Sequence, residues 1–127
     1  MEYGLLGEKL GHSYSKEIHE QLADYTYDLC PVSREDFDAF MTKHDFKAIN
    51  VTIPYKQDVI PYLDAMDDNA ASIGAVNTIV NKNGRLEGHN TDFSGFLYMI
   101  EKHGIRIEGC KCLVLGNGGA AKAVIAV

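Results

Sequence analysis

The sequence predicts an α/β fold: an open three-layer α/β/α domain with a mixed, mostly parallel sheet, followed by the first β-α unit of a Rossmann-type domain. Three observations predict it. Short apolar, strand-forming runs alternate with helical stripes through the first half of the chain, the pattern of βαβ units around a parallel sheet. An Asn83-Gly84 dipeptide separates two further strand-like runs, which marks a tight hairpin and so one antiparallel strand. Finally, the apolar stretch 111–115 runs directly into Gly116-Asn117-Gly118-Gly119-Ala120-Ala121 and a small-residue helix. That is the strand, glycine turn and helix of a dinucleotide-binding unit.

Each element follows from local chemistry. Residues 3–6 form a short apolar strand ended by Gly7, and 7–13 form a loop. Ser15 can cap a helix to about residue 24, with Ile18 and Leu22 expected on its buried stripe. Residues 25–32 are rich in strand formers. Ser33 and Asp36 make a capping pair for a helix whose Phe37, Phe40, Met41 and His44 are expected on one face. The third strand is 46–52. Pro54 then opens a helical stretch to about 63, interrupted near Pro61, and 64–73 is a second helical piece closed by Gly74. Residues 76–80 and 85–88 are the arms of the hairpin. Thr91 or Asn90 caps a helix over 92–103, with Phe93, Phe96, Leu97 and Ile100 as its stripe and Gly104 as its stop. Residues 1–103 therefore read as one domain and 104–127 as the start of a nucleotide-binding one. The residue that would read a cofactor ribose, about 20 positions further on, lies past residue 127, so the expectation is a complete domain followed by the opening of another.

Composition sets the outer bounds. The chain has 127 residues, 46% hydrophobic and 24% charged, which is ordinary globular usage and excludes a disordered tail. No run approaches the roughly 18 apolar residues of a membrane span. The start, Met1-Glu2-Tyr3, lacks the basic and apolar regions of a secretory signal, so a cytoplasmic protein is expected. A net charge of −6 without a basic cluster argues against nucleic acid and anionic membranes as partners. Cys30, Cys110 and Cys112 are an odd set, expected to be reduced thiols. The lone C-x-C has no second pair at zinc spacing, so no metal is expected.

Four polar clusters fall at strand ends or loops. His12-Ser13-Tyr14-Ser15 places two hydroxyls at a loop-to-helix junction, where they either face one cleft or compete to cap the helix. Residues 50–56 put Thr52 and Lys56 beyond the carboxyl end of a strand, where open sheets bind ligands. Lys56 can equally be a solvated lysine. Asn77 lies inside a strand, where an amide needs a hydrogen-bond partner or a ligand. Residues 88–92 supply either a helix cap or a further ligand group, Asp92.

Taken in order, HSxS (12–15), NVTxPxK (50–56), GAVNT (74–78), GxNTD (88–92) and VLGxGGAA (114–121) resemble the shikimate dehydrogenase family, over essentially residues 3–127. The resemblance implies reversible NADPH-dependent reduction of 3-dehydroshikimate to shikimate, in the pathway to chorismate and the aromatic amino acids. By resemblance Ser13 and Ser15 bind the substrate carboxylate and Thr52 contacts the substrate. Lys56 matches the catalytic lysine. Asn77 and Asp92 hold ring hydroxyls, with Asp92 paired to the lysine. Gly116, Asn117, Gly118, Gly119, Ala120 and Ala121 match the NADP phosphate loop, and no metal is implied. One departure is visible: Lys16 stands where the family usually has proline, which implies an extra positive charge near the carboxylate site. The alternatives are a quinate/shikimate dehydrogenase and, from another class, a module that binds substrate without turning it over. The resemblance leaves the oligomeric state open, with a homodimer as one form.

Overall fold

The computed structural model describes residues Met1 to Val127. At its centre is a six-stranded sheet ordered β2-β1-β3-β5-β6-β4. Its strands are β1 (Tyr3–Gly7), β2 (Asp28–Pro31), β3 (Ala48–Val51), β4 (Ala65–Met66), β5 (Thr78–Lys82) and β6 (Arg85–His89). β1 pairs in parallel with β2 and β3, and β4 with β6, whereas β5 is antiparallel to both its neighbours. The hairpin turn has φ of 55° at Asn83 and 91° at Gly84, the positive values a tight two-residue connection needs. Because β5 alone is reversed, its amino end meets the carboxyl ends of β3 and β6: Thr78 lies opposite Asn50 on one side and His89 on the other. This edge carries the site.

Helices α1 (Ser15–Leu22), α2 (Phe37–Lys43), α3 (Asp68–Ile73), α4 (Asp92–Lys102) and α5 (Gly119–Ala126) complete the chain. The main core joins Leu6, Ile49, Val51, Ile79 and Leu86 of the sheet to Phe37 and Met41 of α2 and to Tyr55 and Val59 of the following turns. Phe37 stacks on Tyr55 at 4.3 Å, and the Tyr55 hydroxyl donates to the Val32 carbonyl at 2.7 Å. Full burial of each such aliphatic side chain contributes about 1.5–3 kcal/mol. Leu5, Leu10 and Tyr27 form a smaller cluster on the opposite face, beneath α1.

Several elements depart from the sequence expectation. Ile18 and Leu22 of α1 are exposed, not buried. The helix instead turns His19, Lys16 and Glu20 toward the edge of the sheet. The His19 ring stacks on Tyr27 at 4.0 Å, Lys16 Nζ donates to the Tyr27 carbonyl at 2.7 Å, and Glu20 accepts from the Tyr27 amide at 3.1 Å. Edge backbone next to β2 needs polar partners, and that need outweighs the apolar stripe. β4 has no counterpart in the sequence reading. Two residues carry no periodicity, and β4 exists because Asp64 and Asp67 donate their amides to Leu86 and Gly88 of β6. The helix after it starts only at Asp68, capped by Asp67, whose carboxylate accepts from Ala70 N at 2.6 Å. His44 leaves the α2 face and ends the helix with φ 34°. The stretch opened by Pro54 is a series of turns and a 3₁₀ turn at Ile60–Tyr62, not an α-helix.

Asn90, not Thr91, caps α4: its Oδ1 accepts from Asp92 N at 3.0 Å and Phe93 N at 3.4 Å. The helix closes at Gly104, φ 62°, with bonds from Gly104 N to Glu101 and from Ile105 N to Ile100, a Schellman closure. Residues 111–115 pair with no strand, and Leu113 and Leu115 are more than four-fifths exposed. A strand needs a pairing strand to satisfy its backbone, and the segments beside this one are the helices α4 and α5. Cys110 and Cys112 are accordingly exposed rather than entering a buried strand, and all three cysteines are free thiols. Helix α5 packs through Ala123 on Ile73 and Ala75, beside Phe93. No helix is long and apolar enough to cross a membrane.

Candidate active site

The site begins where β1 and β3 end side by side. A Cβ on Gly7 would lie 2.7 Å from both Leu10 Cδ2 and Thr52 Cγ2, so glycine is what lets the following loop fold down over Thr52. Under that loop is a cavity of about 530 Å³ lined by Leu5, Lys9, His12, Ser13, Ser15 and Thr52, among others. Ser13 Oγ accepts from Ser15 N at 3.2 Å, which fixes the two serines at the start of α1. Ser13 thus takes the capping contact, and the Ser15 hydroxyl makes no bond to protein. Lys9, His12, two serines and a threonine are among its lining residues and no carboxylate is, so it suits a small anion.

Thr52 opens the turn that presents Lys56. Tyr55 N donates to Thr52 O at 2.9 Å, and the Lys56 carbonyl is pinned by Val76 N at 2.7 Å. From there Lys56 Nζ reaches Asp92 Oδ2 at 2.5 Å, with the side chains only 14% and 33% exposed. Asp92 is the first residue of α4, where the helix dipole favours a carboxylate. Its other oxygen, Oδ1, accepts from Asn77 Nδ2 at 2.9 Å. Asn77 is buried just ahead of β5. Its second amide hydrogen goes to Thr91 Oγ1 at 2.8 Å, and its Oδ1 accepts from Thr91 N at 3.0 Å. The result is a half-buried ammonium–carboxylate pair held from behind by an amide, an arrangement able to move a proton at Nζ and to orient a hydroxyl.

The glycine-rich segment closes on the same lysine. A Cβ on Gly119 would come 2.9 Å from Lys56 Cβ and 3.1 Å from its Cδ, so no side chain fits between α5 and the lysine stem. A second cavity, about 380 Å³, lies between Ile53, Pro54, Lys56 and Gln57 on one wall and Gly118–Ala121 on the other. The amides of Gly119, Ala120 and Ala121 find no acceptor in the chain. Unpaired amides at a helix start, walled by glycine and alanine, fit the phosphate of a dinucleotide. Gly116, with φ 120°, makes the turn that precedes them but does not itself line this cavity, and neither does Asn117. No group of three or more His, Cys, Asp or Glu side chains is arranged to hold a metal ion.

Of the residues singled out by sequence, Ser13, Ser15 and Thr52 share the first cavity. Lys56, Asn77 and Asp92 form one bonded cluster. The turn from Thr52 to Lys56 joins the two groups. Lys16 does not approach the serine cavity. Its ammonium is held by Glu20 at 2.6 Å and by the Tyr27 carbonyl, because its side chain runs back along α1 toward the sheet edge. Sequence reasoning misses Lys9, Asn50 and Thr91. Asn50 is within its reach, since it lies two residues before Thr52 on the same strand and so shares its face. Tyr27 is missed as well. Its hydroxyl donates to Asn50 Oδ1 at 2.7 Å, and burial raises its phenol well above the ordinary tyrosine range, so it stays a donor.

Comparison with known proteins identifies the family and the fold. The family described as "Shikimate dehydrogenase substrate binding domain" matches residues 5–79. A shikimate dehydrogenase (NADP(+)) of Clostridium beijerinckii is 47% identical over 97% of this chain and 48% of its own length. The crystal structure of shikimate dehydrogenase 1 from Peptoclostridium difficile superposes with a TM-score of 0.91 at 37% identity, over 99% of this chain and 50% of that one. That of the Thermus thermophilus enzyme, solved with NADP(H) and shikimate, gives 0.85 at 35% identity, over 98% and 50%. The chain spans about half the length of the curated relatives it matches. With the family match covering more than half of its residues and the sheet superposing on solved members, the chain belongs to the shikimate dehydrogenase family.

Proposed function

We propose that this chain is the substrate-binding half of an NADP-dependent shikimate dehydrogenase, acting in the cytoplasm on the reversible reduction of 3-dehydroshikimate to shikimate. Residues 1–103 form the substrate domain, and 104–127 open the cofactor domain. The observation that carries this reading is the position of Lys56: it bonds Asp92 at 2.5 Å, follows the serine-lined cavity by one turn, and touches the glycine-rich loop.

The roles follow from chemistry. The Ser13 and Ser15 hydroxyls donate to the substrate carboxylate, with the Lys9 ammonium adding attraction inside an acidic protein. Thr52 and Asp92 hold the ring hydroxyls, and Asn77, whose two amide hydrogens go to Asp92 and Thr91, holds Asp92 in place. NADP, when bound against Gly116–Ala121, supplies or accepts the hydride. Lys56 gives its Nζ proton to the keto oxygen as that oxygen gains charge, and takes it back in the reverse direction. Asp92 keeps the ammonium aimed through its hydrogen bond. Tight contact between loop and lysine places the two reacting faces together, and such positioning is worth several kcal/mol of barrier.

Calorimetry of the 127-residue chain with shikimate tests the substrate half. Binding is expected, and Ser13→Ala with Ser15→Ala should weaken it at least tenfold. A chain extended through a complete cofactor domain should oxidise shikimate with NADP, read as NADPH absorbance. Quinate in the same assay separates the broader alternative. No binding by the parent chain and no turnover by the extended one would refute the reading.

A further inference from the structure

We propose that Thr78 is a positioning residue for the lysine–aspartate pair: it is the central link of a one-way hydrogen-bond chain that runs from Tyr27 through Asn50 and Asn77 to Asp92. The inference rests on the reaction proposed above, and nothing in that reaction uses Thr78.

The direction of the chain is fixed by its members. A backbone N–H can only donate, so the group that Thr91 N meets at 3.0 Å must be the Asn77 oxygen. Asn77 Nδ2 is thereby turned toward Asp92 Oδ1 and Thr91 Oγ1, which uses both its hydrogens. Thr78 Oγ1, 3.1 Å from the same Asn77 oxygen, must then give its hydrogen there. Its lone pairs are left for a donor, and Asn50 Nδ2 supplies one at 3.1 Å. Asn50 Oδ1 consequently faces outward and accepts from the Tyr27 hydroxyl at 2.7 Å. The Asn77 oxygen thus accepts twice, from Thr91 N and Thr78 Oγ1, and Asn50 Nδ2 also reaches the Asn77 carbonyl at 3.5 Å. Flipping Asn77 would set its Nδ2 against the Thr91 N–H, and flipping Asn50 would set its Oδ1 against the Asn77 carbonyl. Bonds aligned in this way polarise one another, so the Thr78 hydroxyl strengthens the Asn77 donation to Asp92. That donation occupies Oδ1 and leaves Oδ2 for Lys56.

The register explains why this residue has the task. Thr78 opens β5 opposite both Asn50 and His89, at the edge where the reversed strand meets its neighbours. It lies on the polar face of the sheet, while the next residue, Ile79, is in the core. Threonine there serves as a strand former and as a donor. Valine has the same shape without the hydroxyl, and serine has the hydroxyl without the methyl.

The test uses Thr78→Val and Thr78→Ser. In a chain extended through a complete cofactor domain, Thr78→Val should lower kcat roughly 3- to 10-fold, the worth of one such hydrogen bond. KM for 3-dehydroshikimate should change less than about twofold, and Thr78→Ser should restore kcat. In an Asp92→Asn background Thr78→Val should cost nothing further, because a residue acting through Asp92 has lost its route. In the 127-residue chain labelled with ¹⁵N, the Asn77 side-chain amide protons should shift in Thr78→Val and not in Thr78→Ser. Parent-like kcat in Thr78→Val, a full loss retained in the Asp92→Asn background, or an unmoved Asn77 signal would each overturn the proposal. Absence of turnover in the unsubstituted extended enzyme would count against the proposed reaction instead, and the Asn77 signal would still decide the link.

Discussion

The two faces of the sheet are filled by different means. On one, Leu6, Ile49, Val51, Ile79 and Leu86 pack against α2 and the turns after β3. On the other, beside the small cluster of Leu5, Leu10 and Tyr27, the intervening positions Asn50 and Thr78 join Tyr27 and Asn77 through hydrogen bonds, and Thr52, just past β3, shares a cavity with the serine loop. Strand residues alternate between faces, so one register serves both. The apolar face contributes stability that scales with area and tolerates reshaping. The polar face contributes geometry, and leaves no buried side-chain nitrogen or oxygen without a partner. Mutations on the two faces should therefore damage different quantities.

The largest effect belongs to the polar side. Lys56→Ala in a chain extended through a complete cofactor domain should cut turnover by roughly 10²–10⁴-fold, the range for a positioned acid or base. Shikimate binding by calorimetry should change far less. A large loss of binding instead would mean that the lysine holds substrate rather than moves a proton. On the opposite face, Ile79→Ala should cost about 2–5 kcal/mol in denaturant unfolding, because it opens a void at a fully buried centre. If Ile79→Ala lowered turnover as much as Lys56→Ala without loosening the fold, the division between faces would fail.

Smaller effects sharpen the comparison. Gly119→Ala sets a methyl group 2.9 Å from Lys56 Cβ and 3.4 Å from Ala75 Cβ. Overpacking there should cost about 1 kcal/mol and lift α5 from the lysine, read as lower turnover with little change in melting. Last is Glu20, whose carboxyl lies below the usual carboxylate range because Lys16 donates to it, with the Tyr27 amide second. A depressed folded-state value gives stability that is present above the unfolded carboxylate range and is lost as pH falls through the folded value. Glu20→Gln should thus melt slightly below the parent at neutral pH, and the two should converge in acid. A constant gap across pH would show that charge is not the cause.

Local chemistry makes much of this readable. The Asn83-Gly84 turn, the alternating runs of β1, β3 and β5, the α4 stripe and its Gly104 stop each depend on residues close in sequence. Ser13, Thr52, Lys56, Asn77 and Asp92 are legible because each falls at a strand end or helix start, where an open sheet places ligand groups. β4 is not, since two residues paired by a distant strand leave no pattern. The face that α1 buries is not legible either, because Tyr27, not the helix, sets which side must be polar.

The sequence by itself determined the element order, the single reversed strand and the inventory of reactive groups, all of which follow from short-range periodicity and turn stereochemistry. Tertiary structure decided which of those groups meet. Lys56 and Asp92 stand 2.5 Å apart across a sequence separation of 36. The separation closes only because the reversed β5 brings the carboxyl ends of β3 and β6 to one edge. The Tyr27–Asn50–Thr78–Asn77 direction was likewise beyond local reading, since a hydrogen-bond chain takes its polarity from partners that only the folded register supplies.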